Sequence, residues 1–316
     1  MSGHHPRIRL YGPAGHIILR DSLSLCFYIR HPHQEIMRGV LQSLETYLNA
    51  VGPGALGTYV EHSGYTQLLD DSGWKEIRRE LLEDEWPMIA LRDDDSNLEN
   101  QYGFDYSGKP LGTPAPSLDG EPDASSMVGF WLPTEYLEEH GPNRLRELAL
   151  QLAAPLPFCF GQVGLAFKGE LSLIGIMKKV REQCFRYPGL DIPKPSWHSW
   201  KLGFRIRGPS WLTFLGQPIL GALGGAPGLR SRLSSPGTTV QELDGERAVV
   251  TLGTWPEAGD TEQGQTLPAY RELARILEPW LYHEPFPEPW PYPEQSNWEP
   301  DFSPEDKRRW ERRFLD

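Results

Sequence analysis

A chain of 316 residues, 39% hydrophobic and 23% charged, holds enough apolar material for one large domain or two medium ones, and that composition excludes wholesale disorder. Its 31 basic against 43 acidic residues leave a net charge of −12, a balance that repels nucleic acid and favours a basic partner. The apolar stretches near residues 23–29 and 212–223 are too short, or too broken by Gly, Gln and Pro, to span a bilayer. Residues 1–7 lack the charged-then-apolar layout of a signal peptide. Cys26, Cys159 and Cys184 are odd in number and sit among apolar residues, which reads as reduced thiols in a cytoplasmic protein.

In chain order, residues 7–11 open a hairpin that turns through Gly12-Pro13-Ala14-Gly15, and residues 23–29 form a strand ended by His31-Pro32. Ile36, Val40, Leu44, Tyr47 and Val51 share one face of a helix over 34–51, which Gly52-Pro53-Gly54 stops. Strands follow at 58–60 and 65–69. Ser72 is the expected cap of a second helix with Trp74, Ile77 and Leu81 on its buried face. Residues 88–91 and 102–106 are strands around an acidic loop.

Residues 113–126, rich in Pro, Gly, Ser and Asp, read as a linker between an N-terminal subdomain (1–112) and a C-terminal one (127–282). Beyond it come a strand at 127–132, a helix carrying Leu145, Leu148, Ala149 and Leu152, a strand at 163–167, and a helix carrying Leu173, Met177, Val180 and Cys184. Phe27 and Phe130, Val60 and Val163, and Trp74 and Met177 are each 103 positions apart. The expected fold class is therefore α/β (α+β), with two similar β-α-β-α subdomains side by side and an internal duplication; residue identity between the halves is poor.

Residues 201–207 are read as a strand, 211–223 as a helix stopped by Gly224-Gly225, and 229–233 as a turn of helix. Strands at 240–243 and 247–252 flank the two-residue turn Asp244-Gly245, and Pro268 starts a long helix over 269–281. The tail, 283–316, interleaves Pro with Phe286, Trp290, Tyr292 and Trp298 in an extended path before Ser303-Pro304-Glu305-Asp306 caps a terminal helix. It is read as a strap over the domain surface, with an interaction arm as the alternative.

Tests for chemistry fail one after another. Asp93-Asp94-Asp95-Ser96-Asn97 starts like a calcium loop, but Leu98 and Phe104 stand where Gly and Glu are needed. His4-His5 and His31-Pro32-His33 lack companion zinc ligands and read as solvated. No Gly-x-Ser-x-Gly elbow occurs, and the glycines from 216 to 228 form no phosphate cradle, so they read as helix stops. The acids of 83–85 and Glu138-Glu139 are expected to be exposed. No catalytic, cofactor or metal residue is assigned. Asp260 and His198 are the least poor candidates if the chain is a degenerate enzyme.

Three segments carry a resemblance: Asp70-Asp71-Ser72-Gly73-Trp74; Val128-Gly129-Phe130-Trp131-Leu132-Pro133-Thr134-Glu135-Tyr136-Leu137; and the run from Trp211-Leu212-Thr213-Phe214-Leu215-Gly216 to Leu267-Pro268-Ala269-Tyr270-Arg271-Glu272-Leu273-Ala274. In their order they resemble the bacterial type VI secretion immunity family, the TsiV-like proteins, across residues 20–281. The resemblance implies an α/β fold of two similar subdomains. It also implies inhibition of a VRR-Nuc (virus-type replication-repair nuclease) effector by tight binding, with no cofactor and no catalytic residue. The partner would be the cognate toxin, with no direct contact to nucleic acid or membrane. Immunity to another contact-delivered toxin, or a non-catalytic adaptor role, are the other readings. The expected contacts are the acids Glu80, Glu83, Asp84, Glu85, Asp93, Asp94 and Asp95, with Trp86 and Tyr102 as aromatic anchors.

Overall fold

The computed structural model describes residues 5–93, 99–112, 123–284 and 301–316. The first part of the chain forms β1 (Arg9–Tyr11), β2 (Ile17–Ile29), α1 (His33–Val51), β3 (Thr58–Val60), β4 (Thr66–Leu68), α2 (Asp71–Glu83), β5 (Met88–Arg92) and β6 (Gly103–Ser107). Then follow β7 (Ser126–Pro133), α3 (Thr134–Ala153), β8 (Phe160–Gly169), α4 (Ile176–Cys184), α5 (Pro195–Lys201) and β9 (Leu212–Leu215). The last part forms α6 (Ile219–Ala222), α7 (Gly225–Arg232), β10 (Thr238–Asp244), β11 (Arg247–Leu252), α8 (Pro268–Leu277) and α9 (Pro304–Glu311).

The strands join in one eleven-stranded sheet of order β10-β11-β9-β8-β2-β7-β6-β5-β3-β4, with β1 also on β2. The long β2 lies between β7 and β8, antiparallel to both, so Phe27 faces Val128 on one side and Gly161 on the other. Because side chains alternate along a strand, β2 feeds two cores. Leu23, Leu25, Phe27 and Ile29 join α1, α2 and α3 in one cluster; Cys26 and Tyr28 join α6, α7 and α8 in the other. Val249 and Val250 of β11 divide in the same way.

The helical spacing is borne out where it is strongest. Ile36, Val40, Leu44 and Tyr47 of α1 are buried, as are Leu145, Leu148, Ala149 and Leu152 of α3. Inside α3, Gly141 at φ 75° with Pro142 after it breaks the helix, since Pro removes one hydrogen bond and clashes with the preceding turn. The Pro268 start and the Ser303 capping box stand as expected; the β10–β11 hairpin forms too, but it turns at Gly245-Glu246 because Asp244 still pairs with Arg247. The tail from 285 to 300, with Phe286, Trp290, Tyr292 and Trp298, lies outside the described residues, as does most of the 113–126 linker.

Other expectations are corrected. Residues 211–223 hold strand β9 and the short α6, not one helix: Leu212, Thr213 and Phe214 pair with β11 and with β8 on its other side. A short apolar run in the middle of a sheet carries no alternation to mark it. Residues 201–207 form no ladder; α5 runs to Lys201, and Ile206 makes one bridge to Leu281. The cap of α2 is Asp70, whose carboxylate accepts from Ser72 and Gly73 N–H, both at 2.9 Å. Leu173 precedes α4 and is 48% exposed. The duplication is not confirmed: at the 103-residue offset, Val60 sits in a three-residue strand next to one edge, and Val163 in a ten-residue central strand.

The segments that carried the resemblance turn out to be joints of this scaffold. At Gly73 a Cβ would lie 2.7 Å from the Leu68 carbonyl, so the turn into α2 admits only glycine without rearrangement. At the end of β7, Thr134 donates to Asp21 at 2.6 Å, and Glu135 pairs with Arg9 and Arg20. Arg20 is fully buried on β2, and its guanidinium also reaches the Glu99 carbonyl at 2.7 Å.

Candidate functional site

The C-terminal end of α2 and the turn after it form an acidic shelf. Glu83 and Glu85 are exposed and Asp84 is half-buried, its carboxylate 3.0 Å from Arg79. Apolar side chains lie among these acids: Leu82 is 38% and Met88 56% exposed, and Trp86 packs against Trp200 of α5 with ring centroids 5.6 Å apart. Trp200 in turn lies over the Lys109 ammonium at 4.5 Å. Lys109 is fully buried and donates to Ser125 O and Ser199 Oγ, both at 2.7 Å. Trp86 is thereby held on a rigid support, the condition under which an aromatic can anchor a partner at low entropic cost.

Glu80, expected among the contact residues, faces inward. It is only 6% exposed, accepts from Met88 N–H at 2.8 Å, and burial raises its carboxyl above the usual range. The spacing of Gly73, Ile77, Glu80 and Leu81 places it on the inward stripe of α2, a signal present in the sequence. Among the described residues, one group brings metal-ligand atoms within 4.8 Å of each other: His62, Glu80 and Asp84. The carboxylates of Glu80 and Asp84 are already engaged by Met88 N–H and Arg79, so the group reads as an internal brace.

Asp93 and Tyr102 lie at the other end of β5, whose five residues at about 3.3 Å each put them roughly 13–17 Å from the shelf. Asp94 and Asp95 lie outside the described residues. Asp93 is buried and accepts from Gln101 and Tyr102 N–H, both at 2.7 Å, so it closes a turn. Tyr102 is half-buried and its carbonyl accepts from Lys168 at 2.7 Å. The seven described residues of the nine expected to form one contact surface are therefore not brought together.

Asp93 and Lys168 line a cleft of about 920 Å³ with Arg92, Asp105 and Trp131; sequence reasoning did not single out Arg92, Asp105 or Lys168. Each has a partner. Asp105 accepts from Arg92 at 2.7 Å and from the Trp131 indole at 2.9 Å, and Lys168 lies 3.9 Å from Asp93. Burial pushes the Lys168 ammonium down to about 7, against the pull of Asp93. A charge set answered so fully from within reads as a brace across β5, β6, β7 and β8.

The weakest enzyme candidates gain nothing. Asp260 is clamped by Arg186 through two hydrogen bonds of 3.0 and 2.8 Å, which hold its carboxyl below the usual range, and it caps the turn at Glu262. His198 is buried in different surroundings, and burial, aided by Arg207, holds its imidazole well below the ordinary value. The three thiols are free and buried, and burial pushes each up to about 12, far from a reactive thiolate. The histidines expected to be solvated are divided: His31 is half exposed, but His33 is buried and bonds Tyr106 Oη at 2.7 Å. Among the described residues no helix is long and apolar enough to cross a membrane.

Comparison with known proteins bears on this arrangement. A family model described as TsiV, type VI immunity for VRR-NUC, matches residues 39–314. The fold is similar to a solved structure of the Pseudomonas aeruginosa T6SS protein PA0821. The TM-score is 0.78 and the identity 20%, over 98% of this chain and 88% of that one, a likeness that speaks for the fold. No curated protein matches the chain.

Proposed function

This chain belongs to the TsiV family, type VI immunity for VRR-Nuc, and we propose that it binds and inhibits a cognate nuclease effector by covering the toxin's DNA-binding or active-site cleft. The family match carries the reading. The chemistry of the surface supports it. A nuclease cleft that grips phosphates with basic side chains is complemented by an acidic surface. This chain has a net charge of −12 and a shelf where Glu83 and Glu85 surround Trp86, Leu82 and Met88. Apolar anchors ringed by charge are the usual anatomy of a tight contact. The role asks for no catalytic residue and no cofactor, in keeping with a shelf whose Glu80 and Asp84 are occupied by internal hydrogen bonds and ion pairs.

The test is co-expression with a VRR-Nuc effector encoded beside it. Cells making both should survive, the two proteins should co-purify, and the purified complex should no longer cut DNA. Killing that is unchanged in the presence of abundant folded protein would refute the proposal. Replacing Trp86 and Met88 with Ala should weaken the complex at least tenfold, the loss expected for one anchor residue.

A further inference from the structure

Packed among α4, α5 and α9 is a cavity of about 400 Å³. Leu171, Met177, Ile192, Phe302 and Trp310 make one wall, and at the rim Leu173 is 48% and Ile174 99% exposed. In the other wall two polar atoms have no hydrogen-bond partner among the described residues: Nδ1 of His198 and the hydroxyl of Tyr282. Both residues are more than nine-tenths buried, at 7% and 6% exposure, with ring centroids 6.1 Å apart. Main-chain bonds from His198 N to Lys194 O (2.9 Å) and from Tyr282 N to Ile206 O (2.8 Å) fix both backbones. A buried donor left unpaired carries its full desolvation cost, so these two atoms mark where a ligand's polar end would be held.

The sign of that ligand follows from which charges are already answered. Arg207 and Arg313 both pair with Asp191. Glu284 faces Lys307 at 3.7 Å, Glu311 faces His283 at 3.3 Å, and Asp301 accepts from Gly175 N–H at 2.9 Å. Lys194, exposed at the mouth, has no salt-bridge partner within 4 Å among the described residues, although Glu284 acts on it from farther off. Each lining carboxylate has a direct hydrogen bond or ion pair, and among the described residues the Lys194 ammonium is the lining cation without one.

We propose that this cavity binds a small amphipathic carboxylate. The apolar body lies against Met177, Phe302 and Trp310. The carboxylate accepts hydrogen bonds from the Tyr282 hydroxyl and from His198 in its Nδ1–H tautomer, with the Lys194 ammonium above it. Helix α5 touches both places, since His198 lines the cavity and Trp200 supports Trp86 of the shelf.

Calorimetry with octanoate, below its micelle concentration, tests the proposal on the purified full-length chain, with octylamine as the opposite-charge control. Saturable one-to-one binding of octanoate is expected. Lys194→Ala and Tyr282→Phe should each weaken it about tenfold, the loss of one strong polar contact. Met177→Trp, which fills the cavity, should abolish it. Thermal unfolding of each variant checks that it is folded; Lys194→Ala alters an exposed residue and keeps the test valid if another variant fails to fold. Absence of saturable binding, equal binding by the folded variants, or octylamine binding as tightly as octanoate would overturn the proposal.

Discussion

The acidic shelf and the ion cluster around Asp191 use the same side-chain chemistry to opposite ends. At Asp191 two guanidiniums converge on one carboxylate, all three side chains are 11–13% exposed, and Gln162 adds a hydrogen bond at 2.8 Å. At the shelf, Glu83 and Glu85 stand in solvent, and no salt bridge within 4 Å engages them among the described residues. A buried charge is committed to its internal partners, whereas an exposed one remains free for an external one. Acid content alone, which drew attention to both Asp93 and Glu83, cannot separate the two situations. Burial and pairing do.

The largest expected effect comes from breaking the buried set. Asp191→Ala leaves Arg207 and Arg313 without their shared counter-charge and should cost about 3–5 kcal/mol. Urea unfolding measures it; a loss below about 1 kcal/mol would mean that water reaches both guanidiniums. An apolar deletion provides the scale. Leu148 is fully buried beneath α3, and Leu148→Ala should cost about 2–5 kcal/mol. Trp74→Ala should cost less, because Trp74 is only half-buried against α1.

Legibility in the sequence followed the same division. Regular periods exposed α1 and α3, and two-residue turn chemistry exposed the β10–β11 hairpin. These signals are local, so the chain itself carries them. The order of the eleven strands is not local. Placing β2 between β7 and β8 depends on pairings across about 100 residues, and an apolar run such as residues 212–215 fits a helix or an interior strand equally well until its neighbours are known. Of the expected contact residues, Glu83 and Glu85 are available and Trp86 is anchored, while Glu80 and Asp93 serve the interior. Their opposite fates follow from helix phase and from a turn closed by backbone N–H groups, not from residue type. Arg92, Asp105 and Lys168 went unnoticed because each is a single charge on a strand and their meeting is tertiary.

Lys168 offers a smaller test of the buried class, through pH. Burial holds its ammonium down at about 7, and Lys109 shares that direction and cause. Below this value both folded and unfolded chains carry the proton. Between there and about 10 only the unfolded chain does, so stability rises with pH across the window, by on the order of 1 kcal/mol per pH unit for each group. Lys168→Met should remove about half of the rise between about pH 6.5 and pH 9. If the variant and the parent show the same slope, Lys168 is hydrated in solution and the brace is open to water.

The shelf should show the smallest change in stability and the clearest change in partner kinetics. Reversing Glu83 and Glu85 to Lys puts new charges at a helix end and in a turn, where neither side chain packs against the core, so unfolding should shift by less than about 0.5 kcal/mol. Association with the toxin should slow about tenfold or more at low salt, because these charges act at a distance on an oppositely charged cleft. Dissociation should change little, since Trp86 and Met88 are untouched. Raising the ionic strength to about 0.5 M shortens the Debye length to a few ångströms and should bring the two association rates together. A reversal that slows association equally at every salt concentration would point instead to a direct clash, and one that leaves the low-salt rate unchanged would remove the shelf from the interface. The stability measurement makes either outcome interpretable, because a variant that unfolds like its parent has lost a surface property and not its fold.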